Sequence, residues 1–410
     1  MLTVVGWCLL AAWIASQTGV VSAVVRSQNL RNAGGRNAGH WNAGGRNAGH
    51  RNGAARLEPD SSRRAPKISV LVPARNEAPE IGAALESLIA QRNVPFEAIV
   101  IDDRSEDGTG EVARQKAAGD PRVRFIRIDS LPPDWLGKTH ALARGVEDAS
   151  GEWLLFTDAD VRFHPDALSV ALHWAETHEL DHLVLLPSSL ATSFGEHLLM
   201  VYFEYLFFNA TGFGWVRLPW LTSAYVGIGA FNLVRRSAYE AIGGHESLRL
   251  QVVDDVQLGK RIKAYGFRQD ALHGRRYVSV YWQRGIEGIV GGLEKNAFAV
   301  TGYSVLRTAF GALAQLGVSV VPLAMTICLI VQGRLASALP WGVWSVFTVA
   351  LLGAVAWANG YRPVVALFHP VAAVLFSHTL FRSMFAAHRR GGVVWRDSHY
   401  PLDQLRDEHF

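Results

Sequence analysis

The sequence has few of the residues that support disulfide, zinc or redox chemistry. Its 410 residues include two cysteines, Cys8 and Cys328, and both lie within apolar runs. This usage excludes a disulfide framework, and no Cys/His spacing typical of a metal site occurs. The loop GxGxxG is missing after the first strand-like run, and GxxxxGK[ST] is missing altogether. These absences disfavour a dinucleotide-dependent oxidoreductase and a P-loop ATPase.

Acidic residues are missing from the first 57 positions, whereas arginines recur from Arg26 onward. Residues 3–25 carry no charge and are long enough to cross a bilayer. A cleaved signal peptide is the alternative, because the sequence at 21–23 resembles a cleavage site. No basic residue precedes the apolar run and several follow it. The positive-inside rule therefore favours a retained anchor at 1–26 with its C-terminal side in the cytoplasm.

Apolar residues make up 49% of the chain, which favours further membrane segments. Residues 309–385 contain long apolar runs and are predicted to form a C-terminal transmembrane region of about three helices. A tail follows at 386–410. One anchor and three spans would place this tail outside, whereas the basic cluster at 388–390 favours the inside. The orientation of the C-terminal spans stays open.

Residues 27–65 form a basic stretch of low complexity, with Asn, Gly and Arg repeating at a period of five. A stretch with so little to bury is predicted to be a disordered linker. A tether beside an anionic membrane surface explains its charge more simply than nucleic-acid binding does. We therefore expect no nucleic-acid partner.

Residues 66–300 show short apolar runs, each ending in polar residues, that alternate with helix-like stretches. This alternation predicts an α/β domain whose mostly parallel sheet is covered on both faces. Later strands are predicted at 182–187 and 227–236. Between them, the aromatic-rich segment 194–225 is predicted to be an amphipathic element at the membrane interface. A buried helix pair is the alternative for this segment.

Polar side chains follow three of the predicted strands: Asn76 and Glu77, Asp102 and Asp103, and Asp158 and Asp160. In open α/β sheets, ligands bind at the carboxyl ends of the strands. Asp158 and Asp160 are not needed as helix caps, because the next helix is predicted to begin at Pro165. Two carboxylates one residue apart suit a hard cation such as Mg²⁺ or Mn²⁺. Such a cation in turn favours a diphosphate ligand.

A second acidic pair, Asp254-Asp255, precedes an amphipathic helix. One aspartate is enough to cap a helix, which leaves the other available as a general base. Lys138 begins a helix after a proline-rich loop and is a candidate for contacting phosphate oxygens. An exposed lysine without a ligand is the alternative.

Four of these stretches together resemble a family-2, inverting glycosyltransferase of the GT-A fold. They are VPARNE, IVIDDRSEDGT, FTDAD and VVDDVQLGKRIKAYG. The resemblance runs from about Ile68 to Asn296, more than half of the chain. Each stretch alone is weakly specific, but the four occur in the family's order. The resemblance implies a GT-A cytoplasmic domain flanked by transmembrane helices.

The resemblance also implies roles for the matching positions. The first stretch supplies donor-binding residues, namely Pro73, Arg75, Asn76 and Glu77. Asp102 or Asp103 would bind the nucleotide base, Asp158 would lie near the ribose, and Asp160, with Asp158 beside it, would hold the metal. Asp255 matches the catalytic base. Asp254 stands where the family has glutamate, which leaves the division of labour between the two aspartates open.

The stretch after the base departs from the processive members of the family. Those carry Gln-x-x-Arg-Trp, whereas this chain reads VYWQRGIEGIVGGLEKNAF. The difference favours a single transfer over chain extension. Trp282 and Arg284 are candidates for closing over the donor diphosphate, and a tryptophan packed toward the membrane is the alternative. The stretch is similar to those of ceramide glucosyltransferase-like, hopanoid-associated and carotenoid-associated enzymes.

The resemblance thus predicts a multi-pass membrane hexosyltransferase, typical of a bacterial inner membrane. It would move one sugar from a nucleotide sugar, UDP-linked by expectation, to a lipid hydroxyl with inversion and a divalent metal. Two alternatives stay open at this point. One is a polyprenyl-phosphate or polysaccharide-pathway glycosyltransferase, and the other is a non-catalytic membrane scaffold.

Overall fold

The computed structural model describes residues 2–26, 67–395 and 398–407, so the predicted linker at 27–65 lies outside the described residues. Ten short strands occur in the central part of the chain. They are β1 (Ile68–Ala74), β2 (Phe96–Asp103), β3 (Val123–Ile128), β4 (Trp153–Phe156), β5 (Arg162–Phe163), β6 (His182–Leu186), β7 (Ser188–Ser189), β8 (Asn232–Arg235), β9 (Gln269–His273) and β10 (Val278–Val280).

Seven of these strands form one sheet in the order β3-β2-β1-β4-β8-β6-β9. Strands β3, β2, β1 and β4 run parallel, whereas β8 is antiparallel to both of its neighbours. The prediction of a mostly parallel sheet is therefore confirmed. The strand predicted at 227–236 is shorter, because only its last part pairs. Ala74 lies opposite Asp102 and Leu71 opposite Phe156, so β1, β2 and β4 end at one edge.

Fourteen α-helices precede the C-terminal hairpin in the described residues. They are α1 (Leu2–Ser16), α2 (Thr18–Arg26), α3 (Ala78–Ile89), α4 (Thr109–Gly119), α5 (Gly137–Glu147), α6 (Ala167–Thr177), α7 (Phe194–Thr211), α8 (Arg236–Ala241), α9 (Asp254–Ala264), α10 (Gly285–Val300), α11 (Val305–Ser319), α12 (Val321–Val331), α13 (Leu335–Asn359) and α14 (His369–Arg390).

Helices cover both faces of the sheet. Ile81 of α3 and Leu168 of α6 belong to the apolar core on one face, and Leu142 of α5 and Ile262 of α9 belong to the core on the other. Burial on both faces explains the nearly continuous apolar runs of the strands. Helix α6 begins at Ala167 rather than at the predicted Pro165, because the short strand β5 follows the acidic stretch first.

Helix α7 is buried, which corrects the prediction of an interfacial amphipathic element. Ser193 and Glu196 form a capping box at its start, as expected from their spacing. The Tyr202 hydroxyl lies 2.9 Å from the Ser319 hydroxyl on α11. Glu204 accepts a hydrogen bond of 2.9 Å from Tyr361, which follows α13. The buried alternative therefore describes α7, which packs between the α/β domain and the apolar helices.

Three helical segments are long and apolar enough to cross a membrane within the described parts of the chain: Leu2–Arg26, Leu335–Asn359 and Pro363–Arg390. Helices α11 and α12 form a fourth candidate, bent by 41°. The bend falls at the start of α12, where Pro322 follows, and proline lacks the N–H that a continuous helix needs. Apolar helices at both ends of the chain are thus present, as predicted.

The predicted tail is folded in the structure. Strands β11 (Gly392–Trp395) and β12 (Ser398–Pro401) pair antiparallel and lead into α15 (Leu402–Asp407). Leu402 and Leu405 are buried in a cluster with Leu136 and Phe298 of the α/β domain. The segment after α14 therefore returns to the sheet edge where β1, β2 and β4 end.

Candidate active site

A cavity of about 540 Å³ opens at this sheet edge, within the size range of small-molecule sites. Its lining includes most of the residues that the sequence singled out: Pro73, Arg75, Glu77, Asp103, Lys138, Asp158, Asp160, Asp254, Asp255 and Trp282. These residues come from loops after β1, β2 and β4, from the starts of α5 and α9, and from the segment before α10. Parallel strands bring these separate stretches together, because their carboxyl ends share one edge.

The two aspartates at the end of β2 have different surroundings. Asp103 lines the cavity and accepts a hydrogen bond of 2.7 Å from Arg104, with Arg75 at 3.8 Å. Asp102 is fully buried and pairs with Arg127 at 2.5 Å, and it also accepts a hydrogen bond of 3.2 Å from the Ser105 amide. Of the two aspartates left open by the sequence, Asp103 is therefore the donor-facing candidate, and Asp102 lies outside the cavity lining.

We expect Asp102→Asn to lower the free energy of unfolding by about 2 kcal/mol, because a charged hydrogen-bonded pair is lost. A larger cost is not expected, since Arg127 reaches solvent. The KM for the nucleotide sugar that the resemblance implies should stay near its wild-type value. Asp103→Asn is the matched variant and should raise that KM. Thermal unfolding in detergent and donor titrations would measure both. Equal effects of the two variants on KM would contradict the inference that Asp103, and not Asp102, faces the donor.

Asn76 and Arg284 lie outside the cavity lining, so their donor contacts stay predictions. Asn76 has a left-handed backbone, with φ of 55°, and its side chain accepts a hydrogen bond of 2.9 Å from the Glu106 amide. It joins the loops after β1 and β2. Arg284 is 75% exposed, lies 3.5 Å from Glu80 and stacks over the Tyr281 ring.

Lys138 lies among the carboxylates at the centre of the cavity. Its Nζ is 2.8 Å from Asp158 Oδ1 and 3.6 Å from Asp254 Oδ1. Burial works to lower the pKa of Lys138, but attraction to Asp158, Asp254 and Asp255 outweighs it and raises that pKa. The lysine is therefore charged across the physiological range. Burial and the neighbouring Asp255 and Asp158 carboxylates raise the pKa of Asp254 despite Lys138.

Asp255 is held by backbone amides. Its two carboxylate oxygens accept hydrogen bonds of 2.7 Å from Gly229 and 2.8 Å from Val256. The Gly229 carbonyl accepts from the Asp158 amide at 3.1 Å, and a Cβ on Gly229 would lie 2.6 Å from Asp158 Oδ2. Glycine at position 229 therefore allows the side chains of Asp158 and Asp255 to approach the same loop. Helix α9 begins at Asp254, and its N-cap residue Val253 makes no side-chain capping hydrogen bond.

The residues around Asp160 fit a divalent cation that also binds a phosphate ligand. Burial and the nearby Asp158 and Glu77 carboxylates raise the pKa of Asp160, so negative charge is crowded there. Within the described ranges, no three His, Cys, Asp or Glu side chains are grouped as a complete metal site. Mg²⁺ is usually held by one or two carboxylates together with substrate phosphates. The donor set fits that arrangement.

Another wall of the cavity consists of uncharged side chains that the sequence did not single out, apart from Trp282. Gln283, Gly292 and Asn296 line it. The Trp282 ring stacks on Phe203 of α7 with centroids 4.7 Å apart, so it also contacts the helical layer. Tyr400 of β12 completes the lining and donates a hydrogen bond of 3.2 Å to the Trp135 carbonyl. No local signal marks Tyr400, because its neighbours in space are remote in sequence.

Residues 69–243 match the family described as Glycosyl transferase family 2. This match supports a glycosyltransferase and disfavours the scaffold alternative. The predicted GT-A-type α/β fold with apolar helices at both ends is confirmed.

The chain is also similar to individual glycosyltransferases. The chain is 25% identical over 351 residues to 4,4'-diaponeurosporenoate glycosyltransferase of Staphylococcus aureus strain USA300, covering 82% of this chain and 89% of the relative. Among solved structures, the chain is similar to mannosyltransferase PcManGT from Pyrobaculum calidifontis in complex with GDP-Man and Mn²⁺. The identity is 18% and the TM-score 0.47, covering 88% of this chain and 99% of that one. Staphylococcus aureus TarS 1–349 gives 15% identity and a TM-score of 0.38, covering 82% and 98%.

Proposed function

We propose that this glycosyltransferase moves one sugar from a nucleotide-sugar donor to a lipid acceptor at a membrane, with inversion at the anomeric carbon. The observation that carries the proposal is that one cavity holds Asp103, Lys138, Asp160 and Asp255 beside a wall formed by α10. Helix α10 packs on α14, which belongs to an apolar segment long enough to span a bilayer. The charged residues assigned to the donor thus lie beside a helix that packs on an apolar segment.

The donor side of the cavity carries the charged groups. Asp103 accepts the hydrogen bond of the nucleotide base, with a uracil base as the expectation. Asp158 faces the ribose, and Lys138 contacts the diphosphate when the donor displaces its present carboxylate partners. The loop after β1, which includes Pro73, Arg75 and Glu77, closes the nucleotide side.

Asp160, with Asp158 beside it, would hold Mg²⁺ or Mn²⁺. A divalent metal bound there supplies Lewis-acid stabilisation of negative charge on the diphosphate. The raised pKa of Asp160 supports this assignment, because crowded carboxylates gain from a cation.

Asp255 acts as the general base. It takes the proton of the acceptor hydroxyl as that oxygen forms a bond to the anomeric carbon. The bond from this carbon to the diphosphate breaks, and its electron pair leaves with the nucleoside diphosphate. The amides of Gly229 and Val256 hold the carboxylate in place. Asp254 is the more buried of the two aspartates and lies beside Lys138, so we assign it to charge balance.

The similarity to a diaponeurosporenoate glycosyltransferase supports an apolar, carotenoid-like acceptor. We place the domain of residues 66–300 on the cytoplasmic side of a bacterial-type inner membrane. The segments 1–26 and 309–385 anchor it as a multi-pass protein. In this arrangement α10 and α14 present the acceptor to the cavity at the depth of the membrane surface.

Nucleoside diphosphate release by membranes containing the protein tests the proposed function. Each of UDP-glucose, UDP-galactose and GDP-mannose would be supplied with and without a bacterial lipid extract, and mass spectrometry would identify labelled lipids. We expect one donor to give lipid-dependent release and one added hexose per lipid. A product cleaved by mild alkali would show a carboxylate acceptor, and one cleaved by mild acid a polyprenyl phosphate. No donor consumption, or transfer only to water-soluble acceptors, would refute the proposal.

A further inference from the structure

The walls of the cavity divide by charge. The side that faces the strand ends carries acids, arginines and Lys138. The wall formed by α10 and the residues before it presents an indole and two carboxamides among its described side chains: Trp282, Gln283 and Asn296. Charged groups suit a nucleotide diphosphate and its metal, whereas an aromatic ring with amide groups suits a neutral ligand that is rich in hydroxyls. The two kinds of wall therefore fit the two halves of a nucleotide sugar.

Asn296 has an unmet hydrogen bond on this wall. Its Oδ1 atom is buried and has no hydrogen-bond partner. A buried acceptor left unpaired is costly, and such atoms in folded proteins usually mark a missing ligand or a water. Because Asn296 lines the cavity, a bound molecule can supply the donor that its Oδ1 lacks.

The acceptor lipid is a poor source of that donor. In the proposed reaction its hydroxyl has one proton, and this proton goes to Asp255. An acceptor with a single hydroxyl then has no proton left for Asn296. The transferred hexose carries several hydroxyls that stay protonated throughout. Because the ribose and the base are assigned to Asp158 and Asp103, the hexose is the remaining part of the reacting complex that can pair with Asn296 in every state.

Neighbouring residues keep this wall in place and leave room on it. Gly292, one helical turn before Asn296, also lines the cavity, and a Cβ there would lie 2.9 Å from Gln283 Cγ. Gln283 therefore packs against α10 at Gly292, and any side chain at position 292 would displace it. On the opposite side of α10, the Ser383 hydroxyl of α14 donates to the Glu294 carbonyl and accepts from the Phe298 amide at 3.0 Å. These two hydrogen bonds hold the backbone of α10 on either side of Asn296 along the chain.

We propose that Asn296 and Gln283 form the sugar subsite and bind hydroxyls of a neutral hexose beside Trp282. This inference rests on the proposed function and adds the class of sugar. A hexuronic acid would add a carboxylate to a cavity that already holds Asp254 and Asp255, and like charges repel. The subsite therefore selects UDP-hexoses or GDP-hexoses over UDP-glucuronic acid.

Binding measurements on the full-length protein in detergent separate this subsite from an acceptor site. The Kd of UDP alone and of the preferred UDP-hexose, or of GDP and GDP-mannose, would be measured by calorimetry. Asn296→Leu has nearly the same size and no hydrogen-bonding group. We expect it to weaken the nucleotide sugar about five- to tenfold, as for the loss of one hydrogen bond, and to leave the nucleoside diphosphate unchanged. UDP-glucuronic acid should bind no more tightly than UDP.

Gln283→Leu provides a second test, because Gln283 is exposed and its loss leaves the fold intact. It should weaken the nucleotide sugar selectively in the same way. Asn209→Leu, on an exposed position of α7 outside the cavity lining, is the control and should change neither Kd. An unchanged nucleotide-sugar Kd with a raised KM for lipid would overturn the sugar subsite in favour of acceptor binding. If the wild-type protein bound none of the nucleotides or nucleotide sugars, that result would instead refute the proposed function.

Discussion

Asp255→Asn is expected to lower kcat by about 10²–10⁴-fold, the usual contribution of a general base. The amide has the shape of the carboxylate but cannot take the acceptor proton. Nucleotide-sugar affinity should stay within about threefold of wild type, because the contacts assigned to the donor are elsewhere. Single-turnover transfer of labelled sugar to lipid, together with calorimetric donor binding, would measure both effects.

Asp254→Asn is the matched control for this base. Asp254 is 5% exposed and lies next to Lys138, whereas Asp255 is partly exposed and held by two backbone amides. We therefore expect Asp254→Asn to reduce kcat less than Asp255→Asn does. If Asp254→Asn caused the larger fall in kcat at unchanged donor affinity, the assignment of the base would have to be reversed.

Asp160→Ala is expected to remove the metal dependence of donor binding. In the wild-type protein, Mn²⁺ should tighten nucleotide-sugar binding and EDTA should weaken it, because such a cation is held jointly by protein carboxylates and substrate phosphates. The variant should show the weak affinity under both conditions. Calorimetric titrations with Mn²⁺ and with EDTA would give these constants. Because the site has too few ligands of its own, Mn²⁺ alone should bind weakly and nucleoside diphosphate should strengthen it.

Asp166→Asn serves as the control for the metal site. Asp166 follows the same acidic stretch, is 41% exposed and is absent from the cavity lining. Its replacement should leave the effect of Mn²⁺ on donor affinity at the wild-type level. An Asp160→Ala protein that still binds the nucleotide sugar more tightly with Mn²⁺ would rule out Asp160 as a metal ligand.

Local patterns predicted the strands and the places where they end. Apolar runs that stop at acids located the ends of β2 and β4 within a residue or two. The reason is that buried positions favour apolar residues, whereas the adjacent positions that face water favour charged ones. The adjacent pair Asp102 and Asp103 shows where this reasoning stops. Successive side chains of a strand point to opposite faces, so one of the two had to turn away. Arg127 on the neighbouring strand β3 decides which one does.

Helix α7 shows the same limit in the apolar part of the chain. Aromatic residues with scattered charges fit both an interfacial helix and a buried one, since both need apolar surface. Glu204 is accommodated in the interior because Tyr361 donates to it, and Tyr361 is 157 positions away. A pattern within one helix carries no information about such a partner.

The sequence by itself determined the α/β class, the apolar helices at both ends and the acids available for donor chemistry. These follow from periodicity and from the spacing of residues within short stretches. Only the tertiary structure decided that Asp103 rather than Asp102 enters the cavity, that Lys138 lies among the acids, and that Asn296 and Tyr400 line the same space. Those outcomes depend on contacts between segments up to about 300 residues apart, which are fixed by packing of the whole chain.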